Sequence, residues 1–298
     1  MGKPCRLKSG TLKHPEISPL NSLPQPMTPS ICFFLGLLLI EMIWFLFLSI
    51  TAFAAGTSKV IDNFHCLHRS YHVHKLSSSP LVIYLQNFIT SEEREYLKKI
   101  SESSFRRSVV AGQDGAQWSG IRTSQSTDLR SDEVVRCIAR RALDFQGFDV
   151  QETQLEPLQL VKYGPGEQYD FHTDWLSDPQ YTTSFNGGNR MTSFFVYVHV
   201  SNNTTGGGTN FPLIEPPHDE RWCGRVECDE PYANGVTFRP VEGNAIFWAN
   251  LAPDGMGDSR TEHAGLPLTS GEKIGMNIWT RQMPLSEEVR REDLPLDF

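Results

Sequence analysis

The chain has 298 residues and a formal net charge of −8, with 27 basic and 35 acidic side chains. This length is sufficient for one large domain and an additional short region. The acidic balance argues against nucleic acid as the main partner, because binding phosphates requires clustered Lys and Arg.

The first 55 residues predict a membrane anchor. Residues 1–30 are rich in Pro, Ser and Lys, which is typical of a disordered cytoplasmic tail. Residues 31–55 are apolar apart from Glu41 and a few hydroxyls, and are long enough to cross a bilayer as a helix. A cleaved signal peptide is the alternative, since Ala52-Phe53-Ala54 resembles a cleavage site. The long apolar run and the polar residues before it favour an uncleaved signal-anchor.

Two features favour a lumenal position for the rest of the chain. Asn202-Asn203-Thr204-Thr205 contains two overlapping glycosylation sequons. Cys223 and Cys228 flank a short segment and could close a disulfide loop in an oxidising compartment, the alternative being two free thiols. We therefore expect a single-pass type II glycoprotein of the endoplasmic reticulum membrane, with its C-terminal domain lumenal.

Residues 56–79 are predicted to form a stem. Several side chains of the stem could ligate a metal, namely His65, Cys66, His68, His72 and His74. Their spacings match no zinc pattern, so we assign no metal to them.

The globular domain is predicted to span residues 80–298 and to begin with a strand, "PLVIYLQNFI". Thr90 and Glu93 fit a capping box that opens a helix. A second helix is predicted from about Ser131 to Phe145, with Cys137 as a small core residue. Short strands cut by Gly, Pro and Asn follow. This order predicts an α+β domain: a double-stranded β-helix, or jelly-roll, core with supporting N-terminal helices.

The strand "YDFHTDW" places His172 and Asp174 on one face, since side chains alternate along a strand. A histidine and a carboxylate on one face are two thirds of the facial triad that holds non-haem Fe(II). The alternative is a surface pair beside a turn. A third ligand must come from a distant strand, and His263 is the candidate. The following segment, Leu176–Arg190, could be a mobile flap over the site or an ordinary surface loop.

In the predicted strand "KIGMNIWTR", successive side chains point to opposite faces of the sheet, and the two faces differ in character. Its apolar face, Ile274, Met276 and Ile278, is expected to pack on the helices. The other face carries Lys273, Gly275, Asn277 and Trp279. A lysine that points into a barrel is unfavourable unless it pairs with an anion. A small dicarboxylate is the natural partner for Lys273.

Together these segments resemble the prolyl 4-hydroxylase family of Fe(II)- and 2-oxoglutarate-dependent dioxygenases, over about Pro80 to Arg281, and its fungal members most closely. The similarity lies in "RTS" at Arg122–Ser124 and in the order of "LQLVKYGPGEQYDFHTD", "GGGTNFP", "GNAIFWANL" and "DSRTEHAGLPLTSGEK". It is carried by that order and spacing, because each motif alone is weak.

The resemblance implies roles for individual residues. His172, Asp174 and His263 would bind Fe(2+), and Lys273 and Tyr163 would bind 2-oxoglutarate. Thr209 and Trp279 would line the pocket.

The resemblance also implies an activity, in which the enzyme uses O2 and 2-oxoglutarate, with L-ascorbate as a reductant, to hydroxylate proline in a peptide or protein and release succinate and CO2. Two alternatives remain: a 2-oxoglutarate oxygenase with a different peptidyl or small-molecule substrate, and a non-catalytic jelly-roll binding domain.

Overall fold

The computed structural model describes residues 64–66, 70–112, 115–147 and 149–290. The predicted tail and membrane anchor, residues 1–55, lie outside this part of the chain. Within the described ranges, no helix is both long and apolar enough to cross a membrane. The helices of the described chain are α1 (Ser91–Ser101), α2 (Glu133–Gln146) and α3 (Glu287–Arg290).

The strands fall into an N-terminal group and a core group. The first group is β1 (His72–Ser78), β2 (Leu81–Gln86), β3 (Arg106–Arg107), β4 (Val110–Gly112), β5 (Gly115–Gln117) and β6 (Gln125–Asp128). The core group is β7 (Gln159–Tyr163), β8 (Tyr169–His172), β9 (Arg190–Val200), β10 (Thr205–Gly206), β11 (Thr209–Phe211), β12 (Val236–Phe238), β13 (Ala245–Ala249), β14 (His263–Gly265), β15 (Leu268–Ser270) and β16 (Lys273–Arg281).

From β7 onward the chain passes back and forth between two antiparallel sheets. The major sheet has eight strands in the order β1-β2-β13-β9-β16-β7-β6-β3, and the minor sheet has four in the order β12-β11-β14-β8. Strands β7, β9, β13 and β16 thus lie in one sheet, and β8, β11, β12 and β14 in the other. This alternation is the topology of a double-stranded β-helix, so the predicted jelly-roll core is confirmed.

The two helices before the core pack on the outer face of the major sheet. The capping box that opens α1 is present, with Thr90 Oγ1 accepting from Glu93 N at 3.1 Å and Glu93 Oε2 accepting from Thr90 N at 2.8 Å. Leu97 of α1 and Ile138 of α2 belong to the same buried cluster as the apolar side chains of β16. The prediction that the apolar face of β16 packs on the helices is therefore confirmed.

The opposite face of β16 points between the two sheets, into a second cluster rich in aromatic side chains. Gly275 is required on this face, because a Cβ atom there would collide with the ring of Phe195. The close approach of Phe195 leaves Lys273 completely buried, with 0% of its surface exposed. The side chains that face inward from β16 therefore form one wall of an enclosed site.

Two features differ from the sequence interpretation. The major sheet begins within the predicted stem, because β1 pairs with β2 as its edge strand, and the polar alternation of His72–Ser78 suits an edge.

Cys137 is buried as predicted, but it forms a disulfide with Cys66 and is therefore more than a small core residue. That partner is 71 residues away, a separation at which sequence gives no pairing signal. The Cys223–Cys228 disulfide is present.

Candidate metal and cosubstrate site

The three predicted metal ligands meet between β8 and β14. His172 ends β8, His263 begins β14, and the two residues are direct partners in the antiparallel pairing of these strands. Asp174 follows β8 and lies 3.8 Å from Nε2 of His172 and 4.0 Å from Nε2 of His263. Ligand atoms from all three residues lie within 4.8 Å of one another. The separated segments of sequence thus form one cluster of two nitrogen ligands and a carboxylate.

Backbone carbonyls orient both imidazoles. Nδ1 of His172 lies 2.8 Å from the carbonyl of Asp170, and Nδ1 of His263 lies 3.0 Å from the carbonyl of Thr261. Because a carbonyl only accepts, each Nδ1 must carry the proton. The lone pair is then on Nε2, which faces the cluster, as metal binding requires.

Asp174 is held by two hydrogen bonds to a single oxygen. Ser193 Oγ donates to Oδ2 at 2.7 Å, and Trp279 Nε1 donates to the same atom at 3.0 Å. Asn250 Nδ2 in turn donates to Ser193 Oγ at 2.8 Å. Ser193 and Asn250 could not be identified from the sequence, because nothing in the strand pattern shows that they face Asp174. These bonds leave Oδ1 directed at His172.

The electrostatics of the cluster favour metal-binding protonation states. Burial acts to raise the pKa of Asp174, but the charges of His263 and His172 outweigh it and hold the pKa at about 2. Burial and, to a lesser extent, the neighbouring His263 lower the pKa of His172 to about 3. At neutral pH the cluster therefore offers an ionised carboxylate and a neutral imidazole.

Aromatic rings fix the two histidines from outside the cluster. Tyr169 stacks on His172 with ring centroids 3.6 Å apart. Phe211 stacks on His263 at 5.3 Å, and Trp248 contacts the same ring edge-on at 4.7 Å. These rings, which the sequence analysis did not assign to the site, restrict both imidazoles to one orientation.

Lys273 is buried beside Tyr163 and Phe195, two side chains that line the cavity next to the metal-ligand cluster. Its Nζ donates to the carbonyl of Gly207 and lies 4.5 Å from the ring centroid of Tyr163. Within the described ranges no carboxylate pairs with it. Burial without such a partner lowers the pKa of Lys273 to about 7. A buried ammonium with only a carbonyl and aromatic rings around it fits a carboxylate ligand.

The cavity borders the metal-ligand cluster and extends to the rings of Tyr163 and Phe195, beside which Lys273 is buried. Its walls include Tyr163, Thr209 and Trp279, so all three residues assigned to the pocket from sequence are there. Thr209 Oγ1 is hydrogen-bonded to Tyr197 Oη at 2.8 Å, and this bond positions its hydroxyl. The donor set thus fits a divalent metal in the cavity, and the buried Lys273 beside the cavity wall fits one carboxylate of a small dicarboxylate.

Fold and site together define the class: a mononuclear metal oxygenase on a double-stranded β-helix. Residues 158–281 match the profile of the 2OG-Fe(II) oxygenase superfamily. Prolyl 4-hydroxylase 1 of Arabidopsis thaliana is 30% identical over 71% of this chain and 72% of its own length. Prolyl 4-hydroxylase 5 of the same plant is 31% identical over 70% of each chain. The chain belongs to the prolyl 4-hydroxylase family of Fe(II)- and 2-oxoglutarate-dependent oxygenases.

Solved structures also resemble the chain. One is a viral collagen prolyl hydroxylase from Paramecium Bursaria Chlorella virus-1, with 21% identity, 73% coverage of this chain, 99% of that chain and a TM-score of 0.46. Two predictions from the sequence stay predictions: that the chain is most similar to fungal members of the family, and that residues 31–55 form a membrane anchor.

Enzymes of this family use Fe(2+), 2-oxoglutarate and O2, typically with ascorbate, and the bound iron supplies the oxidising chemistry. In this chain the described residues offer a cluster of three metal ligands and a buried lysine beside the wall of the adjoining cavity.

Proposed function

We propose that this enzyme hydroxylates proline residues in a peptide or protein, with 2-oxoglutarate converted to succinate and CO2. One observation carries the proposal: the cluster of His172, Asp174 and His263 borders a cavity whose wall, at the ring of Tyr163, lies against a buried lysine that has no carboxylate partner among the described residues. Relatives that cover more than two thirds of the chain are prolyl 4-hydroxylases by name, which supports proline as the hydroxylated residue.

Each site residue has a role in this proposal. His172, Asp174 and His263 hold Fe(2+) through the two Nε2 atoms and the carboxylate. Lys273 binds the distal carboxylate of 2-oxoglutarate, and Tyr163 and Thr209 line its path. Trp279 lines the cavity and holds Asp174 by its indole N–H.

The test is succinate release by the purified full-length protein with Fe(II), 2-oxoglutarate, ascorbate and a proline-rich peptide. Mass spectrometry should show a gain of one oxygen on proline. A peptide of the same length with alanine in place of proline is the control, and Asp174→Ala is the inactive reference. Succinate release that is independent of proline would support an oxygenase with a different substrate. Absence of turnover with any substrate would favour a binding domain.

The same proposal places the C-terminal domain in the lumen of the endoplasmic reticulum, behind an anchor at residues 31–55. Two disulfides support an oxidising compartment. Asn202 and Asn203 are exposed in a turn, as glycosylated sequons must be. Protease treatment of intact microsomes should leave the domain protected, and glycosidase treatment should increase its mobility on a gel. Digestion of the domain without detergent would rule out this topology.

A further inference from the structure

The segment from Leu176 to Arg190, a candidate mobile flap, is tied to the end of β16 by a ladder of hydrogen bonds. Gln282 N donates to the carbonyl of Asn189 at 3.0 Å, and Asn189 N donates to Gln282 Oε1 at 2.8 Å. Met283 N donates to the carbonyl of Gly187 at 2.9 Å. The loop is therefore fastened where it returns to the major sheet.

Arg281, the last residue of β16, holds two separate points of this loop with its side chain. Its Nη1 donates to the carbonyls of Gly188 at 2.7 Å and Tyr181 at 3.2 Å. Its Nε donates to Glu156 Oε1 at 2.6 Å. The guanidinium side chain is only 9% exposed, so these charge-assisted bonds are shielded from water.

Glu156 links this anchor to the metal-ligand cluster through a second arginine. Arg190 donates to both carboxylate oxygens of Glu156, from Nε at 2.7 Å and from Nη2 at 2.8 Å. Burial acts to raise the pKa of Glu156, but the two arginines outweigh it and lower the pKa, so the carboxylate stays ionised. The guanidinium of Arg190 lies 3.6 Å from the ring centroid of Trp279. One carboxylate thus positions both the end of the loop and a wall of the cavity.

We propose that Arg281 is a positioning residue that fixes the loop 176–189 as a rigid wall of the peptide-binding opening. The loop leaves the cluster directly after Asp174 and returns at Arg190, which packs on a cavity-lining ring. Its carbonyls at two separate points, Tyr181 and Gly188, are held by one side chain, so loss of that side chain removes two of the bonds that hold the loop and leaves only the ladder to Gln282 and Met283. The part of the proposal that concerns the peptide rests on the proposed function; the rigidity of the loop does not.

Hydrogen exchange of the full-length protein tests the rigidity without any turnover. In Arg281→Ala, amides that donate within the loop or into it, such as those of Gly188 and Met283, should exchange at least about tenfold faster, because charged hydrogen bonds hold the closed state. Arg94→Ala is the matched control. Like Arg281, Arg94 pairs with a carboxylate, that of Glu242, and donates to a backbone carbonyl, that of Val198. Neither of these bonds involves the loop. Equal exchange in wild type and Arg281→Ala, or equal loosening by Arg94→Ala, would overturn the proposal.

Kinetics test the consequence. Arg281→Ala should raise the KM for the proline-rich peptide at least about fivefold, while Co(II) affinity and the KM for 2-oxoglutarate change less than about twofold, because loop ordering is added to the free energy of peptide binding. Arg281→Lys retains the charge beside Glu156 but cannot hold both carbonyls, so it should give an intermediate peptide KM. This variant also covers the case in which the alanine variant does not fold. A loosened loop with an unchanged peptide KM would contradict the positioning role. Absence of peptide turnover in the wild type would count against the proposed function alone.

Discussion

The indole Nε1 of Trp279 donates a hydrogen bond of 3.0 Å to Oδ2 of Asp174. Trp279 lies on the same face of β16 as Lys273, in a strand that spans the centre of the major sheet. A single strand therefore orients the carboxylate ligand through Trp279 and carries Lys273, which is buried beside two rings of the cavity wall. The distance between Trp279 and Lys273 is set by strand geometry and needs no loop to define it.

Trp279→Phe tests the role of this hydrogen bond. The change removes the donor but keeps an aromatic ring beneath Arg190. Co(II) affinity should fall about 10- to 100-fold, the usual effect of losing a partner that orients a metal ligand. Metal titration followed by visible absorption measures it. Trp222→Phe, a matched change in a ring that packs against His74 instead, should leave the affinity unaltered. Equal affinities in the wild type and Trp279→Phe would show that Ser193 alone suffices to orient Asp174.

His263→Ala tests the third ligand. An open three-ligand site has no spare ligand, so the variant should lose metal binding and turnover while its circular dichroism stays near that of the wild type. His199→Ala is the matched control, because His199 also lies in a core strand but bonds to Glu242. Substantial metal binding by His263→Ala would mean that another residue completes the cluster.

The ligand set was readable from sequence because His172 and Asp174 are only two residues apart, and the family pattern adds His263. The strand predicted through Asp174 is too long, because β8 ends at His172 and Asp174 lies in the bend that follows. Strand periodicity correctly assigned the two faces of β16. The positions of Ser193, Asn250 and Arg190 could not be predicted. Their roles depend on how β9 pairs with β13 and β16, and register across strands is not encoded in the pattern of one strand.

The Leu176–Arg190 segment shows a second limit. A polar, Gly-containing loop between strands has the composition of a mobile flap. Its hydrogen bonds to Arg281 and Gln282 come from the far end of the domain, and composition carries no information about such partners. The pairing of Cys66 with Cys137 was missed for the same reason, whereas Cys223 and Cys228 are close enough in sequence to suggest a pair.

The two disulfides should differ in their contribution to stability. In the loop-entropy model, the bridge that spans 71 residues stabilises by about 4 kcal/mol and the bridge that spans 5 residues by about 2 kcal/mol. Urea denaturation of Cys66→Ala/Cys137→Ala should therefore show a larger loss in the free energy of unfolding than Cys223→Ala/Cys228→Ala. A larger loss in the second variant would indicate that the short bridge orders native structure beyond its own loop.

Lys273 should make the stability of the ligand-free protein depend on pH. Its pKa is lowered from 10.5 to about 7 in the folded state by burial. Between these values the unfolded chain binds one more proton than the folded chain, so the free energy of unfolding should increase as pH rises from about 7 towards 10. Below pH 7 the buried charge is destabilising. Chemical denaturation at pH 7 and pH 9 should show a smaller difference in Lys273→Met than in the wild type, and an identical difference would show that Lys273 stays charged in the folded protein.

Lys273 should also set the pH dependence of 2-oxoglutarate binding, with the opposite sign. A carboxylate binds the protonated amine, so above a pH of about 7 binding must also take up a proton. The affinity of the protein for 2-oxoglutarate should therefore weaken by up to about tenfold per pH unit above 7, and should level off below pH 7.

Lys273→Ala should raise the KM for 2-oxoglutarate at least about tenfold at pH 7, because 1.4 kcal/mol is a factor of ten and a charge-assisted bond exceeds it. The pH slope above 7 should flatten in the same variant, and Lys273→Arg should recover only part of the loss, because the planar guanidinium needs more width than the ammonium. Lys162→Ala, which removes a half-exposed lysine from the adjacent strand, is the matched control and should retain both the KM and the slope. Succinate release against 2-oxoglutarate concentration at several pH values measures all four proteins, and an unchanged KM in Lys273→Ala would refute the role of this residue as the cosubstrate anchor.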